Sequence, residues 1–339
     1  MKLFILQNLF SFVIRNDRRK LENEKEEETR LNKVDVIIPT YKPGMEFLDL
    51  IEKLEMQTIK PNKIILMNTE QKFIVPFLEK TKILEKYSNI EIHHVSQTEF
   101  DHGNTRHCGV QFSDTEFFLC MTQDAVPADK KMIEELLQDL QQKNVAVAYG
   151  RQLAREDSHI LEEYSRNFNY PDKSILKGKE HIKELGIKTY FCSNVCAMYN
   201  RKIYNELGGF IRRTIFNEDM IYAAGAIKAG YKIAYVAKAQ VIHSHYYTGK
   251  QQFYRNFDLG VSQADHPEVF KDVPSEKEGG KLVKGTLQFL WKQGKFYYAI
   301  PFVYQCGCKY LGYRLGKTYK KLPKKLILSC TMNRNYWRF

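Results

Sequence analysis

The 339-residue chain carries 52 Lys and Arg against 40 Asp and Glu, a formal charge of +12, with 43% hydrophobic residues. These are the proportions of a globular protein, long enough for one large domain plus an extension or for two domains. The excess charge is local: Lys281 to Phe339 holds 13 Lys and Arg and no acid, while the remainder has 39 basic and 40 acidic residues. That distribution argues against a nucleic-acid binder and for an anionic partner of the terminal segment alone.

Met1 to Ile14 is apolar but short, and Arg15 to Lys33 is a dense run of mixed charge. Without a small-residue cleavage site between them, residues 1–33 read as a surface-lying or docking helix followed by a charged helix or linker, not a secretion signal. No segment reaches the roughly 18–20 apolar residues that span a bilayer. Val34 to Pro39 is the first buried-strand signal, followed by an amphipathic stretch from Met45 to Gln57. Further strands are expected at Lys63 to Met67, Ile90 to Val95, Phe117 to Met121 and Val145 to Tyr149, with helices at Phe73 to Tyr87, Thr105 to Phe112 and Asp129 to Lys143. Such alternation predicts βαβ units and a mainly parallel, Rossmann-like sheet flanked by helices. Ligands bind such sheets beyond the carboxyl ends of the strands, which points to Thr40, Tyr41, Asn68, Gln123 and Asp124. In the second half, Lys188 to Met198 reads as extended, Glu218 to Gly230 as helix, and Ile233 to Val236 and Gln240 to Ile242 as strands. From about Leu282 the pattern is helical, aromatic and basic. The seven cysteines form no disulfide or zinc spacing and read as free thiols in a reducing compartment.

Four segments hold residues suited to chemistry. Asp124, just after an apolar strand, could hold a divalent ion against a diphosphate, or serve as a turn residue before Pro127. Glu218 and Asp219 open a helix, where acids are favoured anyway, but a carboxylate in a cleft is also what a general base requires. His243 and His245, two apart on an extended segment, point the same way and suit a metal or a phosphate; a polar loop is the plainer alternative. Asp101 to Gly109 places Gly103, Asn104 and Arg106 where backbone amides and a cation could meet an anion, or form a simple turn.

Taken together, eight segments in register resemble the family 2 glycosyltransferases, in particular their bacterial rhamnosyltransferase branch. They are Val36 to Tyr41, Asp101 to Gly109, Thr122 to Pro127, Tyr149 to Gln152, Phe168 to Pro171, Leu207 to Phe210, Glu218-Asp219 and His243 to Tyr246. The resemblance covers Val34 to Pro323 and implies an A-type glycosyltransferase fold. It implies a catalytic domain over 34–270, with a donor half at 34–150 and an acceptor half at 151–270, and a basic helical tail over 271–339. By position, Pro39, Thr40 and Tyr41 would line the nucleotide, with Asn68 where the family often has an Asp on the base. Arg106 would lie near the base or diphosphate, and Gln123 beside the donor. Asp124 matches the second acid of the family's Asp-x-Asp metal motif, whose first acid is replaced here by Thr122. His243 would complete a site for Mg2+ or Mn2+. Gln252 to Arg255 is similar to a diphosphate-binding element of related enzymes, although Asn256 stands where a Trp normally follows. Asp219, with Glu218 beside it, would be the base of an inverting transfer.

The resemblance favours dTDP-L-rhamnose as donor, with a UDP-hexose as the alternative, and a lipid-linked saccharide as acceptor. It places the protein in the cytoplasm, peripherally on the inner face of a bacterial membrane. The tail fits independently, since Trp291, Phe296, Tyr297 and Phe302 interleave with Lys292 and Lys295, a composition suited to an anionic membrane surface. The rivals of another class are a non-catalytic sugar-nucleotide binder and a single-strand nucleic-acid platform.

Overall fold

A computed structural model describes residues 33–338; the apolar and charged segment expected over 1–33 lies outside them except for Lys33. The nine strands are β1 Val34–Thr40, β2 Lys63–Thr69, β3 Ile90–Val95, β4 Phe117–Met121, β5 Val126–Pro127, β6 Val145–Leu153, β7 Ile175–Lys177, β8 Cys196–Asn200 and β9 Lys232–Ile242. The helices of seven or more residues are α1 Met45–Glu55, α2 Gln71–Thr81, α3 His102–Gln111, α4 Met132–Leu140, α5 Ile160–Asn169, α6 Glu218–Ala229, α7 Gly249–Asp265, α8 Glu276–Lys292, α9 Ala299–Lys317 and α10 Lys324–Cys330.

The strands form one sheet in the order β3-β2-β1-β4-β8-β6-β9-β5, with β7 also on β9. The first four are mutually parallel, β8 lies antiparallel between β4 and β6, and β6 pairs parallel with β9. Six strands therefore run one way and present their carboxyl ends at the same edge. Strand β8 runs against both of its neighbours and is reached from β7 through the helical turns between Lys179 and Thr189. Alternation along β1 sends Val34, Val36 and Ile38 into a core with α1 and α4, and Ile37 into a second core with α3 and α6.

Several boundaries differ from the sequence pattern. The helix expected over Phe73 to Tyr87 breaks at Lys82, which adopts a left-handed φ of 54°. The helix expected from Thr105 starts three residues earlier, because the Asp101 carboxylate caps the Gly103 and Asn104 amides. Of the extended stretch expected over Lys188 to Met198, only its end is strand; the segment before it is held by side chains instead.

The C-terminal helices fold back onto α7. Helices α7 and α9 run parallel and nearly touch, with Gly312 against the Phe253 carbonyl and Gly316 against the Phe257 carbonyl. A Cβ built at Gly316 would stand 2.1 Å from that oxygen. Phe257 and Val261 of α7, with Ile327 and Cys330 of α10, form a small core of their own. Gly316→Leu should therefore force the helices apart and cost about 1–3 kcal/mol or more, read as a lowered urea midpoint.

Candidate active site

The carboxyl ends of β1, β2, β4, β6 and β9 converge on one polar floor. β5 is two residues long, but it fixes the site: Val126 pairs with Ile242 and Pro127 with Val241, antiparallel. Continuing that ladder outward brings Asp124 beside His243 to His245. His243 Nε2 lies 3.5 Å from Asp124 Oδ1, and His245 Nε2 lies 3.2 Å from Oδ2. The three ligand atoms all fall within 4.8 Å of one another.

The protonation of His243 follows from its neighbours. Its Nδ1 lies 2.9 Å from Gln152 Oε1, which also accepts from the Arg166 guanidinium. A guanidinium only donates, so the amide is oriented, and Nδ1 must carry the proton given to it. Nε2 is then left as a lone pair facing Asp124. Burial depresses the His243 and His245 imidazoles, His245 to about 4, so both are neutral at pH 7. Burial pushes the Asp124 carboxyl up, but its attraction for either imidazole in the charged form more than offsets this and holds it below its usual range, so Asp124 is ionised while the imidazoles are neutral. A carboxylate and two neutral imidazoles thus converge, a donor set that fits a borderline divalent cation. The hydrogen bond behind His243 is the support that metal-bound histidines usually have.

Glu218 and Asp219 begin α6 and part company at once. Glu218, 6% exposed, takes a 3.0 Å ion pair from Arg106, itself 5% exposed, and a 3.0 Å hydrogen bond from Asn194 Nδ2. Burial raises its carboxyl, but Arg106 brings it below the ordinary value. Asp219 is half-buried and accepts from the Asn194 amide at 3.0 Å and its neighbour Met220 at 2.8 Å. Burial, and then the adjacent Glu218 charge, raise its carboxyl well above the usual range. Of the two, Asp219 has the accessibility and the basicity to take up a proton near neutrality.

The other expected site residues divide. Tyr41 is exposed at the end of β1, with Phe73 packed edge-on 5.3 Å away. Pro39 and Thr40 precede it, the Thr40 hydroxyl bonding Asn68, which is fully buried and also donates to His94 at 3.0 Å. Gln123 clasps the Tyr41 backbone through both amide atoms, at 2.8 and 3.0 Å, tying the ends of β4 and β1. Arg255 lies over the rings of Phe216 (4.6 Å) and Tyr247 (5.7 Å), and its charge reaches His243 and His245. Arg106 is buried and pairs with Glu218 through Nη1, which also donates to the His102 carbonyl. Likewise the amides that open α3 are taken by Asp101, whose second oxygen holds the Thr214 amide.

Sequence reasoning missed Gln152, Arg166, Tyr170, Ser193 and Asn194 as a network. Gln152 Nε2 donates to Tyr170 at 2.6 Å and to Ser193 Oγ at 3.0 Å. Through Ser193 and Asn194 this joins His243 to Asp219. Gln152 and Tyr170 lie in segments singled out only by resemblance; no spacing rule could connect them to a strand ninety residues on.

Residues 35–208 match the family described as glycosyl transferase family 2. The chain belongs to that family. It is 39% identical over 308 residues to the O-antigen chain rhamnosyltransferase RfbN of Salmonella typhimurium, covering 90% of this chain and 96% of that one. It is 39% identical over 306 residues to the O-antigen chain rhamnosyltransferase WbaN of Salmonella anatum, covering 89% and 95%. Among solved structures it is similar to the mannosyltransferase PcManGT of Pyrobaculum calidifontis in complex with GDP-Man and Mn2+, with TM-score 0.54, 13% identity and coverage of 88% and 78%. It is also similar to S. aureus TarS 1-349, with TM-score 0.51, 13% identity and coverage of 85% and 91%. This family 2 glycosyltransferase thus has the A-type fold expected from its sequence.

The donor set makes a direct prediction. Mn2+ binding, followed by loss of the free-ion paramagnetic resonance signal, should disappear in Asp124→Ala and weaken about 10–100-fold in Gln152→Leu, which leaves the ligands but frees His243.

Proposed function

We propose that this enzyme transfers L-rhamnose from dTDP-L-rhamnose to a hydroxyl of a lipid-linked saccharide, inverting the anomeric centre. The observation that carries the chemistry is the connection from the Asp124–His243 pair, by hydrogen bonds through Gln152 to Ser193, along the chain to Asn194 and by its amide to Asp219. The donor rests on the two rhamnosyltransferase relatives, each matched over nearly its whole length; it is favoured over the UDP-hexose alternative on that ground.

In this reading, Pro39, Thr40, Asn68 and Tyr41 form the nucleotide end of the pocket. Tyr41 offers its ring, Gln123 fixes its backbone, and Arg255 meets the diphosphate. Asp124, His243 and His245 would hold Mg2+ or Mn2+, which when bound supplies Lewis-acid stabilisation of charge on the departing diphosphate. Asp219 accepts the proton of the acceptor hydroxyl as that oxygen attacks the anomeric carbon from the side opposite the leaving group. The bond to the diphosphate breaks in the same displacement, dTDP leaves, and the protonated Asp219 returns to the carboxylate by losing its proton to solvent. Glu218 stays ionised on Arg106 and takes no part in proton transfer; it keeps Asp219 basic.

We also assign the tail to a peripheral position on the inner leaflet. No helix of the described residues is long and apolar enough to cross a membrane. Trp291, Phe296, Tyr297, Ile300, Val303 and Tyr304 are all exposed, Ile300 by 81%, with Lys292 and Lys295 among them. This face lies at the site's end of the molecule, since Tyr298 packs on His159 at 4.4 Å and Tyr304 abuts Gly249 at the start of α7. Aromatic and aliphatic side chains flanked by lysines suit the headgroup layer.

Two experiments test these assignments. With Mn2+ and a lipid-linked acceptor mimic, nucleotide release should occur from dTDP-rhamnose and not from UDP-glucose, UDP-galactose or UDP-N-acetylglucosamine. Asp219→Asn should lower kcat about 100-fold or more while still binding donor. In the wild type, kcat/KM should climb along an acid limb lying above the usual carboxylate range, because the raised Asp219 must lose its proton to act. Release from a UDP-sugar replaces the donor, and near-normal turnover of Asp219→Asn removes the base. In flotation, the protein should rise with phosphatidylglycerol-rich vesicles, and Trp291→Ser with Ile300→Ser should leave it at the bottom. Retention by oligonucleotide in place of vesicles would reverse the assignment of the tail.

A further inference from the structure

Lys177 ends the short edge strand β7, paired with Ile233 of β9, and is only 2% exposed. Among the described residues no carboxylate pairs with it. Its Nζ donates instead to Tyr149 OH at 3.0 Å, to the Lys188 carbonyl at 2.9 Å and to the Phe191 carbonyl at 2.5 Å. An ammonium has three N–H donors and no acceptor, so all three are used. Burial pulls its pKa down to about 7. Holding a cation there without a carboxylate is costly.

The two carbonyls show what the cation is for. They belong to the segment that the sequence reads as extended and that makes no strand until Cys196. Three residues past Phe191, the Asn194 amide grips Asp219 and its side chain grips Glu218. Between them, Ser193 Oγ accepts from Gln152, the residue that orients His243. One end of this segment is thus pinned by Lys177, while the other holds both the carboxylate and the amide of the site.

We propose that Lys177 is a positioning residue whose ammonium fixes residues 188–194, so that Asn194 and Ser193 hold Asp219 and Gln152 in working geometry. The assignment rests on Asp219 acting as the base. Without the ammonium, the carbonyls of Lys188 and Phe191 lose their donor and the segment relaxes. The Asn194 hydrogen bond to Asp219 weakens, and the carboxylate loses a stabilising donor, which raises its pKa.

Lys177→Met, Tyr149→Phe and Asp219→Asn, assayed together with dTDP-rhamnose, provide the test. Lys177→Met should lower kcat about tenfold or more, as small displacements of reacting groups do, and leave donor affinity by calorimetry at saturating Mn2+ within about twofold. Its acid limb in kcat/KM should move to higher pH, which mere loss of stability would not produce. Wild-type kcat and an unmoved limb in folded Lys177→Met, with Asp219→Asn inactive, overturn the proposal. An active Asp219→Asn instead removes the reading on which it rests. Should Lys177→Met fail to fold by thermal melting, Tyr149→Phe decides. It removes one of the three acceptors and keeps the ring, so kcat should fall less and the limb should move the same way; an unmoved limb overturns the proposal.

Discussion

Two adjacent carboxylates at the start of one helix cannot both be charged in a buried site unless something compensates one of them. Here the Arg106 guanidinium lies 3.0 Å from Glu218 and settles which carboxylate is compensated. Much else follows from that ion pair. It joins α3 to α6 across the inner core, and it keeps a fixed negative charge next to Asp219. Desolvation of the site, and then that charge, raise Asp219, whose remaining partners are backbone amides that steady it without neutralising it. A buried ion pair of this kind is weak support for stability, since burying two charges consumes most of their attraction. Its value here is the asymmetry it creates between two chemically similar neighbours.

The proposed cation site is built on the same principle of unequal neighbours. Asp124, His243 and His245 come from loops more than a hundred residues apart, and the two-residue bridge of β5 on β9 carries them together. The adjacent bulge helps. Between Gly150 and Arg151 the register on β9 jumps from Val236 to Gln240, and a Cβ at Gly150 would meet the Ala239 carbonyl at 2.7 Å. Glycine there lets β9 arch, so that Gln152 still comes into line with Val241 and reaches His243 beyond it. One amide then sets the tautomer of the histidine with one atom and holds Tyr170 and Ser193 with the other.

The donor half of the sheet was legible because its strands are continuous apolar runs bounded by Pro, Asn and Asp, and its helices show a plain amphipathic period. Asp124, Asp219 and His243 were legible as polar residues directly beyond such elements. Less of the acceptor half could be read. β5 has two residues and no pattern, and the stretch before β8 looks extended in composition while its backbone is satisfied by Lys177 and not by a strand. A cation at a helix opening is a usual sign of an anion site, and nothing in sequence announces that Arg106 also pairs with Glu218, more than a hundred residues away. The role of Gln152 was hidden for the same reason: hydrogen-bond partners set by a β-bulge leave no periodic trace.

The tail shows how a packing detail can decide placement. Its composition alone describes aromatic and basic residues on helices, which would suit several positions on the molecule. The small residues choose one. Gly312 and Gly316 let α9 lie directly on the α7 backbone, and the contacts at Phe253 and Phe257 fix the two helices in parallel. Because α7 starts at Gly249, just after His245, a parallel partner brings its own first turns to the same end. Ile300, Val303 and Tyr304 are therefore exposed near the carboxyl edge of the sheet, and an antiparallel α9 would have carried them to the far side of α7. The position of that apolar face, on which the proposed membrane contact rests, depends on two hydrogen atoms standing where side chains would otherwise be.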